Sequence, residues 1–183
     1  DADLLSISAH KFGGPLGIGA LLVRRGLRLR PLLLGSDQER ARRAGLENVP
    51  AIMGFGAACE ALGAPGVLDG EMREALRLTD RLRAAAPTID GVRVYGPGDG
   101  KADHRLPHLV CLGFDDVEPQ AVLLGLDRAG VAVHSGSACA TESLEPSPVL
   151  QAMGVDAHRS LRASVGWSST DADVDAFCQA LPQ

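Results

Sequence analysis

Long apolar runs are missing from this sequence. No stretch approaches the roughly 18 consecutive apolar residues that cross a bilayer, so no membrane-spanning helix is expected. Asp1 and Asp3 stand where a secretory leader carries basic residues, and no initiator Met precedes them. Cysteine is sparse: Cys59, Cys111, Cys139 and Cys178 lie far apart, without the paired spacing of a zinc site or a disulfide framework. A reducing, cytoplasmic setting without a bound metal is the expectation. A basic face is also absent. The net charge is −5 with both signs interspersed, which argues against nucleic acid as a partner. The arginines from Arg40 to Arg43 are the local exception, read as a solvated or ligand-facing turn. Lysine is scarce too, with two lysines against 16 arginines. No internal repeat or low-complexity tract is found.

What is present supports a folded α/β chain. The hydrophobic fraction of 45% suffices for a core. Leu4 to Ala9 and Gly17 to Val23 read as two buried strands joined by the Phe12-Gly13-Gly14-Pro15 turn. Arg28 to Leu34 reads as a further extended piece. Apolar residues recur at helical spacing over Val49 to Leu62 and again over Leu68 to Ala86, the second with its arginines on the polar side. Beyond Pro87, strand patterns at Val92 to Tyr95, Leu109 to Phe114, Val131 to His134 and Leu161 to Val165 alternate with helical ones. Those helices are expected at Pro119 to Ala129, Pro146 to Met153 and Asp171 to Leu181. This alternation predicts a small layered α/β unit. The loop Gly96 to Arg105 reads as polar and exposed. Both ends break into regular patterns, which suggests a piece of a longer protein.

Four stretches can carry chemistry. Lys11 closes the first strand in Ser8-Ala9-His10-Lys11-Phe12-Gly13-Gly14-Pro15. A lysine amine can lose its proton when desolvated and form a Schiff base, whereas arginine stays protonated. A strand-end lysine reaching solvent is the plain alternative. Cys139 sits among small residues in His134-Ser135-Gly136-Ser137-Ala138-Cys139-Ala140-Thr141-Glu142. That setting suits an accessible, travelling nucleophile, or an ordinary surface thiol. Cys59, Cys111 and Cys178 occupy apolar patterns and read as core. Arg162 alternates with apolar neighbours in a strand, so its fork can hold a carboxylate from one face, or simply form a surface ion pair. Gly35 to Asn48 is either a phosphate-shaping loop or a solvated helix start. His104, His108 and His158 show no partner spacing.

In this order the four stretches resemble the group I cysteine desulfurases, pyridoxal-phosphate enzymes of the aspartate-aminotransferase fold. The resemblance runs from Asp3 to Leu181 and covers the second half of that family's length. Its most specific motifs are Ser8-x-His10-Lys11 with the following Gly-Pro turn and Gly17-Ile18-Gly19, and Ser135-Gly136-Ser137-Ala138-Cys139 followed by Leu144-Glu145-Pro146-Ser147. It implies fold type I of the pyridoxal-phosphate-dependent transferases. Residues 1–66 would be a remnant of the large cofactor-binding domain, 67–90 a connecting helix and 91–183 the small C-terminal α/β domain. It implies that Lys11 binds pyridoxal 5′-phosphate covalently and that Ser8 and His10 contact the cofactor phosphate. Cys139 would be the persulfide-bearing nucleophile, and Arg162 would grip the carboxylate of L-cysteine. It further implies a homodimer and a sulfur-acceptor protein, either an iron–sulfur scaffold or a tRNA-thiolation protein.

The sequence departs from the family pattern at the loop implied to reach the partner's cofactor. Gly35-Ser36-Asp37 replaces a glycine run, and Leu46 replaces a threonine that contacts phosphate. The family's first half supplies a histidine stacked on the cofactor ring and an aspartate at its pyridine nitrogen. Without that half, residues 1–183 are expected to be inactive alone. Two other readings stay open: a sulfur-carrier or interaction module without cofactor chemistry, and a related lyase acting on selenocysteine or cysteine sulfinate.

Overall fold

The computed structural model describes residues 2–97, 104–135 and 147–182. They fall into two units, residues 1–68 and 69–183.

The first unit is built on a hairpin. Strand β1 (Leu4–Ser8) pairs antiparallel with β2 (Gly19–Val23), Leu4 opposite Val23 and Ser8 opposite Gly19. Both strands are shorter than the apolar runs suggest, and they are exposed rather than buried. Leu5 is 53% accessible and Leu21 is 53% accessible, from opposite faces of the same ribbon. Two strands alone provide no second layer to bury either face. The segment Arg28 to Leu34 is irregular instead of extended, because Pro31 has no N–H for a ladder. A short turn, α1 (Gln38–Ala41), follows with left-handed backbone at Glu39, Arg40 and Ala41. Helix α2 (Val49–Leu62) starts where Asn48 accepts from the Ala51 amide at 3.2 Å, with Pro50 in its first turn.

The second unit contains a continuous core. Strands β3 (Val92–Tyr95), β4 (Leu109–Phe114) and β5 (Ser160–Ser164) form one antiparallel sheet with β4 in the middle. Helix α3 (Val67–Ala85) falls in this unit from Asp69 onward. Helices α4 (Pro119–Arg128), α5 (Pro148–Ala152) and α6 (Asp171–Ala180) complete it. Alternation decides the faces: Val110, Leu112, Phe114, Leu161 and Ala163 point into a cluster with Leu78 and Leu82 of α3, Leu126 of α4, and Val174 and Phe177 of α6. Leu112 is fully buried at the centre of the sheet. Leu112→Ala is expected to cost about 2–5 kcal/mol through lost contacts and the cavity left behind. Denaturant unfolding would show it, and a change below about 1 kcal/mol would contradict this placement of the core.

Polar contacts fix α3 and α6 on the rim. Buried Thr79 donates to the Pro107 carbonyl at 2.8 Å. Arg77 and Arg81 of α3 both bind Asp171 of α6, and Arg81 also binds Asp175. The hydrogen bonds from Arg77 hold the Asp171 carboxyl below its usual range. The clamp is therefore present above the ordinary carboxylate pKa and fades as pH falls through the lowered one. At these exposed positions solvent screens it strongly. Helix α6 opens with a capping box in which Thr170 and Asp173 exchange hydrogen bonds.

Among the described residues no single helix is long and apolar enough to cross a membrane; α2 and Val67–Thr88 pass that test only as a pair bent by 72°. Two expectations are corrected in this unit. Val131 to His134 is not a strand, since only His134 bridges to β5. The helix near residue 150 spans Pro148–Ala152, begun by Ser147 accepting from the Leu150 amide. The Gly96 to Arg105 loop lies largely outside the described residues.

Candidate functional site

In the first unit β1 runs directly into a single 3₁₀ turn, Ala9–Lys11. Ala9 is completely buried and anchors the turn: its carbonyl accepts from Phe12 at 3.1 Å and Gly14 at 2.9 Å, and its amide donates to Ile18. Gly14 must remain glycine, because a Cβ there would lie 2.8 Å from the Ala9 Cβ. Gly13 has φ +87°, which a side chain disfavours. The next residues pack on α2, with Phe12 and Phe55 rings 5.6 Å apart and Pro15 close against Gly54. The turn thus presents Ser8, His10 and Lys11 together, all exposed. Lys11 does not end a buried strand as expected; it stands on the turn just after an exposed one.

These three groups fit pyridoxal phosphate by their chemistry. A primary amine can condense with the aldehyde, while a hydroxyl and an imidazole can bond phosphate oxygens. Glycines at 13 and 14 leave the approach clear of side chains. The Gly35 to Asn48 segment keeps Arg40, Arg42 and Arg43 exposed, and Leu46 is 91% accessible.

In the second unit Arg162 emerges on the sheet face opposite Leu161 and Ala163. It is half-buried, and no hydrogen bond or ion pair engages its guanidinium among the described residues. Register sets its neighbours. Cys111 lies opposite it on β4, Tyr95 lies opposite Cys111 on β3, and His134 bridges to it on the other side. A strip Tyr95–Cys111–Arg162–His134 therefore crosses one face of the sheet. The Tyr95 ring lies over Gly113, where an added Cβ would meet it at 2.2 Å.

Cys111 thus faces away from the core, which corrects its reading as a core cysteine. Burial pushes its thiol pKa up, and the nearby positive charge of Arg162 pulls the other way. Cys59 is exposed on α2, contrary to the core reading, whereas Cys178 packs against the core and its thiol is likewise raised by burial. Alkylation under native conditions is therefore expected to modify Cys59 well before Cys111 and Cys178. A peptide-mass time course would show the order, and equal rates at Cys59 and Cys111 would contradict it. Cys139 lies outside the described residues, between two anchors that are described. On one side His134 exchanges backbone hydrogen bonds with Arg162, and on the other Ser147 caps α5.

Sequence reading missed Tyr95, Cys111 and His134 as a group. The alternation of Leu109, Cys111 and Gly113 against Val110, Leu112 and Phe114 carries the signal for Cys111. Nothing local gives the register that joins it to Arg162. A cavity of about 780 Å³ in the second unit opens elsewhere, between Gly91, Asp116, Leu124 and Leu181.

Comparison with known proteins bears on the family of the chain. The Aminotransferase class-V family profile matches residues 1–177. A cysteine desulfurase of Gluconacetobacter diazotrophicus is 46% identical over all of this chain and 45% of its own length. One from Klebsiella pneumoniae is 45% identical over 98% of this chain and 45% of its own length. Among solved structures, a NifS-like protein superposes with TM-score 0.82 at 29% identity, over 100% of this chain and 46% of that one. A NifS-like protein from Rickettsia africae gives TM-score 0.79 at 31% identity, over 97% and 46%. The chain spans about half the length of the relatives it matches. Its mixed helix and sheet content is that of a fragment of the fold type I pyridoxal-phosphate enzymes. With a family match extending over nearly every residue, this chain belongs to the class-V aminotransferases.

Proposed function

We propose that this chain is the C-terminal part of a pyridoxal-phosphate-dependent cysteine desulfurase, which converts L-cysteine to alanine and stores the sulfur as a persulfide on Cys139. Residues 1–66 would complete the cofactor-binding domain, 67–90 connect, and 91–183 form the small domain. The observation that carries the reading is the half-buried guanidinium of Arg162, unpaired among the described residues, whose backbone partner His134 leads into the cysteine-bearing stretch of sequence. Similarity to cysteine desulfurases over the whole chain supports it.

When bound, pyridoxal phosphate supplies an electron sink for the substrate α-carbon. The rest falls to the protein's own groups. Ser8 and His10 would hold the phosphate, and Lys11 would hold the cofactor through its amine. The Lys11 amine, when free, would carry a proton to or from the substrate carbon. Arg162 takes the substrate carboxylate in a two-pronged grip, fixing which bond is presented for cleavage. The Cys139 thiolate attacks the substrate sulfur. A sulfur–sulfur bond forms, the carbon–sulfur bond breaks with its electrons left on carbon, and protonation there yields alanine. A sulfur-acceptor protein, of the iron–sulfur scaffold or tRNA-thiolation kind, then takes the sulfur. The working form is a cytoplasmic homodimer.

The test is to give the full-length protein pyridoxal phosphate and L-cysteine, then measure alanine and sulfane sulfur. Both are expected in the presence of the cofactor and neither without it. Alanine with no protein-bound sulfur would replace this reading with a lyase. The absence of both would replace it with a sulfur carrier or interaction module.

A further inference from the structure

A second residue beside Arg162 is placed to hold the same ligand. His134 and Arg162 exchange both backbone hydrogen bonds, at 3.2 Å and 2.7 Å. This is the narrow antiparallel pair, which sets the two Cα atoms about 5.5 Å apart with both side chains on one face. The His134 Nδ1 is closed off from solvent and has no hydrogen-bond partner among the described residues. Folded proteins rarely leave a buried polar atom unmatched, so such an atom points to a group that binds there. Its neighbour tells the same story independently. The other partly buried arginines of this unit are engaged, Arg81, Arg105 and Arg159 by carboxylates and Arg83 by the Pro97 carbonyl, while no hydrogen bond or ion pair engages the Arg162 guanidinium among the described residues.

The two groups suit one ligand. A carboxylate offers about four lone-pair directions; a guanidinium fork occupies two and leaves room for an imidazole N–H. Tyr95 and Cys111, the other members of the strip, supply no second cation. We propose that His134 is a positioning residue whose Nδ1–H donates to the α-carboxylate held by Arg162, so that its effect falls on recognition of the amino acid. This rests on the carboxylate reading of Arg162 given above.

The test uses the full-length holoenzyme and steady-state kinetics with L-cysteine and with L-cysteine carboxamide, which lacks the charged carboxylate. His134→Leu keeps bulk and removes both nitrogens. It is expected to raise the KM for L-cysteine about tenfold with kcat within about twofold, and to leave the carboxamide nearly unaffected. His134→Asn, whose amide nitrogen falls near the Nδ1 position, is expected to recover most of the loss. An unchanged KM in His134→Leu, equal effects on the two substrates, or no recovery by Asn would overturn the proposal. Should the Leu variant not fold, Asn and Gln decide: near-normal KM for Asn with a raised value for Gln supports it, and the reverse order overturns it. Arg162→Lys separates the two levels. A normal KM there overturns the carboxylate reading itself, while a raised KM there beside a normal one in His134→Leu overturns the role of His134 alone.

Discussion

Replacing Lys11 with Ala in the full-length protein is expected to abolish the visible absorbance of the bound cofactor and to lower desulfuration by roughly 10³-fold or more. The size of the effect follows from the lysine having two jobs. In the proposed mechanism it would attach the cofactor, and its amine would also move the proton at the substrate carbon. The local structure explains why no neighbour can take over. Lys11 projects from a single 3₁₀ turn pinned by the buried Ala9, beside Gly13 and Gly14, with no other amine on that turn. Lys101 is the chain's remaining lysine, 90 positions along the sequence. Lys11→Arg is the sharper variant. It keeps the charge and reach, yet guanidinium stays protonated and cannot condense with an aldehyde. It is therefore expected to be as inactive as Ala. Retained absorbance or more than a few per cent of activity in Lys11→Arg would show that Lys11 acts only through its charge.

Cys139→Ser is expected to have a comparably large effect with a different signature. The cofactor remains bound and its absorbance normal, while protein-bound sulfane sulfur disappears and alanine formation drops by about 10²-fold or more. Serine matches the thiol in shape but is a far weaker nucleophile toward sulfur. The other three thiols serve as internal controls. Cys111 lies close to Arg162, with its thiol held protonated by burial, and Cys178 packs on the core. Cys59 is exposed but sits on α2 in the other unit. Sulfane sulfur persisting at the original level in Cys139→Ser would transfer the acceptor role to one of these and remove the basis for the proposed function.

The readable parts of the fold were those whose causes are local. The bounds of α2, α3, α4 and α6 follow from apolar spacing and from Asn48, Pro50, Pro119 and Thr170 at their starts. The core face of β4 follows from alternation over Val110, Leu112 and Phe114. What failed depended on partners distant in sequence or on backbone chemistry that periodicity ignores. Arg28 to Leu34 has strand-like composition, but Pro31 interrupts the ladder. The hairpin strands β1 and β2 are apolar on both faces, which in sequence reads as burial; burial also requires layers that a two-stranded ribbon does not have. Glu39, Arg40 and Ala41 adopt left-handed backbone at φ 52°, 58° and 60°, at a cost of about 1–2 kcal/mol each that no local preference would suggest.

For the site, motif order brought Ser8, His10, Lys11, Cys139 and Arg162 to attention, and chemistry explains each choice. The structure adds the cross-strand register. It converts Arg162 from an isolated cation into the centre of a strip with Tyr95, Cys111 and His134. Such a strip is invisible in one dimension because its members come from residues 95, 111, 134 and 162, joined only by sheet pairing.

The central claim is that sulfur leaves L-cysteine directly onto Cys139. A single-turnover reaction of the full-length holoenzyme, without reductant or acceptor protein, tests it most directly. The account predicts one alanine released per active site and, in the same sample, a Cys139 peptide heavier by a single sulfur atom. Stoichiometric alanine beside an unmodified Cys139 peptide would contradict it.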